Sequence, residues 1–120
     1  MSKPKRRWVE KFRDAIRGLQ LGMRGHSSFY VHFPVAISAL ALAAILKCDR
    51  MEWCLIVGCI GLVLTAELVN SAIESLFRGL DDRAKERVSG SLDIAAGAVL
   101  VAALTAAIVG GLVFVPKIVR

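Results

Sequence analysis

Residues 53–74 read WCLIVGCIGLVLTAELVNSAIE and join an uncharged apolar run to two carboxylates. Glu67 and Glu74 follow that run seven residues apart, with Asn70 and Ser71 between them. On a helix of about 3.6 residues per turn, this spacing places all four side chains on one stripe. An ionisable side chain inside a membrane helix costs about 2.5–3.5 kcal/mol on insertion scales. Two such residues on one stripe therefore indicate a functional site.

The composition indicates an integral membrane protein with a single domain over residues 1–120. The chain is 56% hydrophobic and has a mean hydropathy of +0.60, with Ala, Val, Leu and Ile supplying most of the excess. This apolar content is high for a soluble fold of such a length. We predict no signal peptide, because the basic start leads into a charged segment rather than a short apolar stretch with a cleavage site.

The apolar segments predict an all-α fold with three membrane spans, at about 29–46, 52–77 and 92–115. About 20 residues cross a hydrocarbon core of about 30 Å, so each segment is long enough or nearly so. The third span carries a ladder of small residues at four-residue spacing: Ala98, Ala102, Ala106 and Gly110. Such ladders let helix backbones approach closely, which favours the association of helices and subunits.

Residues 1–28 precede the first span and are predicted to form a basic tail and a surface helix. From Val9 to Met23, apolar residues recur at helical spacing and polar residues occupy the other faces. With Trp8 at its head, this amphipathic helix is expected to lie in the cytoplasmic membrane interface. An ordinary solvated helix is the alternative.

The distribution of basic residues predicts the orientation. The chain has 16 Lys and Arg against 10 Asp and Glu, and eight of those basic residues lie in residues 1–24 and four in 78–91. A three-span chain brings both regions to one side, and the positive-inside rule places that side in the cytoplasm of a bacterial inner membrane. The basic excess suits an anionic membrane surface rather than nucleic acid, since the sequence contains no duplex-binding motif.

The candidate chemistry lies at the cytoplasmic face. Asp93 begins the third span, so its carboxylate should lie at a depth similar to that of Glu74. Carboxylates near water and basic residues suit Mg²⁺ and a nucleotide phosphate. Glu67, about 10 Å further along the helix, could accept the proton of a lipid hydroxyl. Two structural alternatives stay open: Asp93 as a helix cap, and Glu67 and Glu74 as an ion-pairing or hydrogen-bonding set that only stabilises packing.

Histidine and cysteine give no independent site. His26 and His32 are predicted to be interfacial imidazoles, and Cys48, Cys54 and Cys59 to be apolar filler without metal-ligand spacing. The sequence has neither a glycine-rich phosphate loop nor a Ser/His/Asp order. Phosphate transfer by this chain would therefore use neither a P-loop nor a soluble kinase fold.

The motifs Glu67-Leu-Val-Asn70-Ser71-Ala-Ile-Glu74 and Asp93-Ile-Ala-Ala-Gly-Ala-Val-Leu100 resemble those of the prokaryotic diacylglycerol kinase and undecaprenol kinase family. The hallmark of that family is Glu-x-x-Asn-[Ser/Thr]-Ala-[Ile/Val]-Glu, followed after a cytoplasmic loop by Lys-Asp and a small-residue helix. The resemblance covers about residues 12–118. It implies a homotrimeric membrane kinase whose active sites are shared between subunits. Such a kinase passes the γ-phosphate of MgATP to a lipid hydroxyl, on diacylglycerol or undecaprenol.

The resemblance also implies residue roles. Glu67 resembles the catalytic base and Glu74 a metal-binding carboxylate. Asn70 and Asp93 resemble polar residues of the nucleotide site, to which Arg17 of the surface helix is also assigned.

Three positions depart from the family pattern. The second metal-binding Glu is His26 here, which we keep as a metal-ligand candidate although Mg²⁺ prefers oxygen. The Lys before the Asp is Leu92, and an Asp four residues after Glu74 is Arg78. Arg78 could replace the lost positive charge and contact the nucleotide. The chain is thus a kinase with a rebuilt phosphate and metal site, or a non-catalytic oligomer or lipid-sensing relative. A transporter subunit is disfavoured because the charges cluster at one face.

Overall fold

The computed structural model describes residues 7–24 and 28–120, and the regular structure in these two ranges is entirely helical. Five helices follow one another: α1 (Trp8–Met23), α2 (Ser28–Ile45), α3 (Arg50–Arg78), α4 (Asp82–Arg87) and α5 (Gly90–Ile118). The prediction of an all-α fold is confirmed.

α3 and α5 are the long helices, with 29 residues each, and both are long and apolar enough to cross a membrane. At about 1.5 Å per residue they measure about 43 Å, which exceeds a hydrocarbon core of about 30 Å. α2 contributes a shorter apolar segment, from Phe29 to Ile45. Within the described ranges, two of the three predicted spans therefore reach the length of a membrane helix.

A tight reversal joins α2 to α3. Lys47 adopts the left-handed backbone conformation (φ 54°), and α3 begins three residues later with a capping box. The Glu52 amide donates to the Asp49 carboxylate (2.8 Å), and the Asp49 amide donates to the Glu52 carboxylate (2.9 Å). This reciprocal arrangement satisfies two donors that the helix start would otherwise leave unpaired. The two helices consequently run antiparallel.

α5 is longer than the sequence predicts. The expected span closes at Pro116, whereas the helix begins at Gly90 and continues through the proline to Ile118. Proline removes one donor from the helical ladder, but the next turn keeps its bonds, since the Val119 amide donates to the Val115 carbonyl (3.1 Å). The last turn is also tied to the start of α3, as described next.

α3 is the central helix of the fold. α5 and α2 pack along it, and the end of α1 contacts its second half. Lys117 Nζ of α5 lies 3.0 Å from Glu52 Oε1, so the end of α5 meets the start of α3 and these helices are antiparallel. The core beside this ion pair contains Ala43, Ile56 and Val113. Most other large apolar side chains of the described chain are exposed, as expected for helices surrounded by lipid or by further subunits.

α1 lies close to α3 at Gly22. A Cβ atom on Gly22 would lie 2.8 Å from Leu68 Cδ2, the end of a flexible side chain, so a larger residue would require Leu68 to move. The apolar residues of α1 are exposed, including Trp8, Phe12 and Ile16. The contact at Gly22 places the end of α1 next to the acidic half of α3.

Candidate functional site

Glu67 is a carboxylate buried within the helix bundle. Its side chain is 4% exposed, and its Oε1 lies 2.7 Å from Nε2 of His32 on α2, whose side chain is 23% exposed. A carboxylate removed from water needs a hydrogen-bonding or charged partner, because an unpaired buried charge is very unfavourable. The imidazole of α2 supplies such a partner from across the helix interface.

Asn70 and Glu74 form the next part of the stripe. Asn70 Nδ2 donates to Glu74 Oε1 (3.1 Å), and both side chains are half-buried. The other amide atom, Asn70 Oδ1, is buried and has no hydrogen-bond partner within residues 7–24 and 28–120. A buried acceptor without a donor is uncommon in folded proteins and marks a place where a ligand or ion is expected.

Ser71, also buried, lies at the side of the stripe that faces α1. It lines a cavity of about 770 Å³ between α1 and α3, together with Ser75, Arg24 and Arg78. Arg78 is exposed in the last turn of α3. The cavity therefore combines two hydroxyl groups with two guanidinium groups, a set that suits a phosphate.

Asp93 lies inside the first turn of α5 and is exposed. The position before the helix is Ser89, whose side chain makes no capping hydrogen bond. A first-turn carboxylate interacts favourably with the helix dipole, so the structural alternative for Asp93 stays a prediction. Leu92, at the position of the family's lysine, is half-buried. The neighbouring Ser91 lines a groove of about 480 Å³ between α3 and α5 that also contains Asn70. The start of α5 thus lies close to the stripe.

The remaining predicted site residues are not brought together with these. Arg17 is exposed and lines a shallow groove whose other described residues all belong to α1. It therefore does not share the cavity of Arg78. His26, the second metal-ligand candidate, lies outside the described residues. Within the described ranges, no group of three or more His, Cys, Asp or Glu side chains could hold a metal ion.

His32 is the site residue that the sequence argument misses, since it is predicted only as an interfacial imidazole. A signal was available: α2 and α3 form a hairpin, and equal counts from the intervening loop place His32 within about one turn of Glu67. His32 also lines an apolar cavity of about 380 Å³ between α2, α3 and α5. His32 therefore lies between this apolar cavity and the buried Glu67 carboxylate.

Comparisons of the sequence with known proteins identify its family. The family described as prokaryotic diacylglycerol kinase matches residues 13–114. The undecaprenol kinase of Bacillus subtilis is 32% identical over 112 residues, covering 93% of this chain and 91% of that protein. The diacylglycerol kinase of a Synechocystis species is 30% identical over 108 residues, covering 89% of this chain and 62% of that protein. No solved structure matches the chain. The matched family and the breadth of these matches establish that the chain belongs to the prokaryotic diacylglycerol kinase family.

Proposed function

We propose that the chain is a lipid kinase that transfers the γ-phosphate of ATP to the hydroxyl group of a membrane lipid. The observation that carries the proposal is the buried Glu67 carboxylate, held 2.7 Å from His32 and seven residues before Glu74 on the same helix. Membership of the prokaryotic diacylglycerol kinase family supports the same reaction.

In the reaction, Glu67 acts as the general base. The lipid hydroxyl oxygen forms a bond to the γ-phosphorus, and the bond from that phosphorus to the bridging oxygen breaks. ADP leaves with the electron pair of that bond, and the hydroxyl proton passes to the Glu67 carboxylate. Little other covalent chemistry is needed, because phosphoryl transfer depends mainly on positioning and on stabilising charge.

The residues around Asn70 fit a Mg²⁺ ion that arrives with the nucleotide. Proteins usually hold Mg²⁺ through one or two carboxylates together with substrate phosphates. Glu74 supplies a carboxylate, and the unpartnered Oδ1 of Asn70 lies beside it among the described residues. Bound there, the ion would offset negative charge on the phosphoryl group. His26 remains a candidate for a further ligand.

The nucleotide is assigned to the polar surface around α1 and the end of α3. Arg78 and Arg24, which share a cavity with Ser71, would contact phosphates. Asp93 and Arg17 are both exposed, and we assign them to other parts of the nucleotide, with Arg17 contacting it from its separate groove on α1. In this arrangement Arg78 supplies a positive charge of the kind lost at Leu92.

The proposed setting is a bacterial inner membrane crossed three times, with the N-terminus in the cytoplasm and α1 in the interface. The basic residues of 1–24 and 78–91 support this orientation. A homotrimer is proposed because one chain leaves much apolar surface uncovered within the described ranges, and because the family resemblance implies active sites shared between subunits. A neighbouring subunit could complete such a site.

Labelled ATP tests the proposal directly. Purified protein in detergent is incubated with diacylglycerol, undecaprenol or a broad lipid extract, and label in the lipid fraction is measured. We expect label in lipid, its loss in Glu67→Gln, and its retention in Glu52→Gln, a matched change at the far end of α3. A wild-type protein that labels none of these lipids would favour the non-catalytic relative, to which the departures at His26 and Leu92 point.

A further inference from the structure

We propose that His32 is a positioning residue for Glu67, an inference that rests on the proposed kinase function. The contact joins Nε2 of the ring to Oε1 of the carboxylate at 2.7 Å. This distance is at the short end for an N–H···O bond and is typical of bonds to an ionised acceptor. An ionised carboxylate, which the role of a base requires, can only accept, so Nε2 of the ring is assigned as the donor.

The bond determines how the carboxylate is presented. A glutamate side chain has three rotatable bonds, and most of its rotamer freedom is lost when one oxygen is held by a separate helix. With Oε1 held by His32, the plane of the carboxylate is set and Oε2 is the oxygen that meets a substrate hydroxyl. A base held in a fixed plane gains the advantage of orientation, which a displacement of about 1 Å can reduce by up to about 10²-fold.

The contact of Glu67 with His32 differs in origin from the contact of Glu74 with Asn70. Asn70 donates to Glu74 from within α3, one turn away, so that contact persists wherever α3 goes. His32 reaches Glu67 from α2, so the orientation of the base depends on how α2 packs against α3. Further along α2, Ser38 donates to the Pro34 carbonyl of its own helix (2.7 Å), and Tyr30 is exposed. His32 is thus a polar group through which α2 reaches the stripe.

Three variants of α2 separate positioning from mere packing. His32→Leu removes the donor, His32→Gln restores an N–H donor on a side chain of similar reach, and Ser38→Ala removes a polar group that does not contact Glu67. In single-turnover assays we expect His32→Leu to lower the rate at least about tenfold with KM for ATP within about twofold. His32→Gln should recover most of that loss, and Ser38→Ala should stay within about twofold of wild type.

A spectroscopic measurement tests the contact without relying on catalysis. Histidine is labelled with ¹⁵N, and the ring signals of His32 are identified by their disappearance in His32→Gln. We expect those signals to shift in Glu67→Gln and to stay in place in Glu52→Gln. The compared variants, Glu67→Gln and Glu52→Gln, leave α2 unchanged, and the assignment uses His32→Gln, so the comparison remains decisive even where His32→Leu fails to fold.

The outcomes distinguish this inference from the proposed function. If the ring signals do not shift in Glu67→Gln, or if the His32→Leu protein is as fast as wild type, the positioning role of His32 is overturned. The proposed kinase function is unaffected by either result. Equal loss of activity in His32→Leu and His32→Gln would also overturn the positioning role, since the donor would then be irrelevant. Absence of lipid kinase activity in the wild-type protein would overturn both.

Discussion

The two ends of α3 carry carboxylates that are held in opposite ways. At its start, Glu52 accepts the Asp49 amide and lies 3.0 Å from Lys117, with both charged side chains about one-fifth exposed (20% and 18%). In its second half, Glu67 is 4% exposed and its partner is His32, whose ring is neutral unless it takes up a proton. Glu52 thus has a permanent cation and a place in a helix cap, whereas the partner of Glu67 among the described residues is an imidazole.

This difference indicates that the Glu52 end of α3 contributes to stability and the Glu67 end to the chemistry. At the Glu52 end every contact strengthens the structure: the cap satisfies amides, and the ion pair fastens α5 to α3. At the Glu67 end a buried acid is kept at an energetic cost, and a buried amide oxygen lies unpartnered nearby within the described chain. Arrangements that are unfavourable for folding are typical of sites selected for function.

The largest expected effect comes from exchanging each carboxylate for its isosteric amide. Glu67→Gln should lower kcat for lipid phosphorylation by about 10²–10⁴-fold, because a general base contributes that much. Glu52→Gln should keep kcat within about twofold. Initial rates at saturating ATP and lipid measure both. Equal loss of activity in the two variants would show that the ends of α3 do not differ as described.

The dependence of the reaction rate on Mg²⁺ should distinguish the role of Glu74 from that of Glu67, which lies on the same stripe. Glu74→Gln should raise the Mg²⁺ concentration for half-maximal rate by at least about 10–100-fold, because loss of even an outer-shell partner of a metal ligand typically lowers metal affinity by that factor. Titration of the residual rate with MgCl₂ at constant ATP measures this change. Asn70→Ala should act in the same direction, because it removes the Oδ1 atom beside Glu74. An unchanged metal requirement in both variants would exclude this pair as the metal site.

The stability of the fold should depend on the ion pair between Glu52 and Lys117 at the start of α3. Glu52→Gln and Lys117→Met should each lower the free energy of unfolding by about 1 kcal/mol, since a partly exposed ion pair contributes little more than this. Denaturant unfolding followed by circular dichroism measures the loss. The double variant serves as control: its loss should be smaller than the sum, because either change alone breaks the same contact. Strict additivity would mean that Glu52 and Lys117 do not interact.

Much of this organisation is readable in the sequence because it depends on local periodicity. The seven-residue spacing of Glu67 and Glu74 fixes their shared stripe, and the uncharged run before them fixes a long apolar helix. The helical range of α1 and the short helix after Asp81 follow from similar local signals. Family membership was likewise readable, since the two motifs lie at characteristic positions.

The tertiary contacts were readable only in part, each for a physical reason. Counting from the loop brings His32 to the level of Glu67, but whether the two side chains face each other depends on how the helices rotate against each other, which periodicity in one helix does not determine. Pro116 predicts a helix end, yet the ion pair of Lys117 and the bonds around the proline keep the last turn helical. Arg17 and Arg78 share a charge type but line different surfaces, because α1 meets α3 through Gly22.

A smaller effect is expected where α1 meets the acidic half of α3. Gly18→Ala should stabilise the protein by up to about 1 kcal/mol, because alanine favours a helix and no atom lies within 4 Å of the new Cβ. Gly22→Ala has the same intrinsic gain, but its Cβ would lie 2.8 Å from Leu68 Cδ2, so the gain should be reduced or lost. Thermal unfolding measures both. Shortening the neighbour in Gly22→Ala/Leu68→Val should restore part of the gain, and equal stabilisation by the two alanines would argue against the contact.

The last and smallest expected effect is on the chemistry of Cys48, in the loop before α3. Burial raises the pKa of the Cys48 thiol, the Glu52 carboxylate raises that pKa further, and the Lys117 ammonium lowers it. Glu52→Gln should therefore lower the pKa, increase the thiolate fraction at pH 8 and speed maleimide labelling by about two- to fivefold. Lys117→Met should slow labelling, because it removes the cation that favours thiolate.

Rates are compared in a background with Cys54 and Cys59 replaced by alanine. Removal of the Glu52 charge and removal of the Lys117 charge should change the labelling rate of the thiol in opposite directions, while both lower the stability of the protein. A general increase in loop mobility would change the rate in one direction only, so it cannot reproduce these opposite changes. Labelling that speeds in both variants would mean that burial alone controls the thiol, and that the Glu52 end is less rigidly held than its contacts indicate.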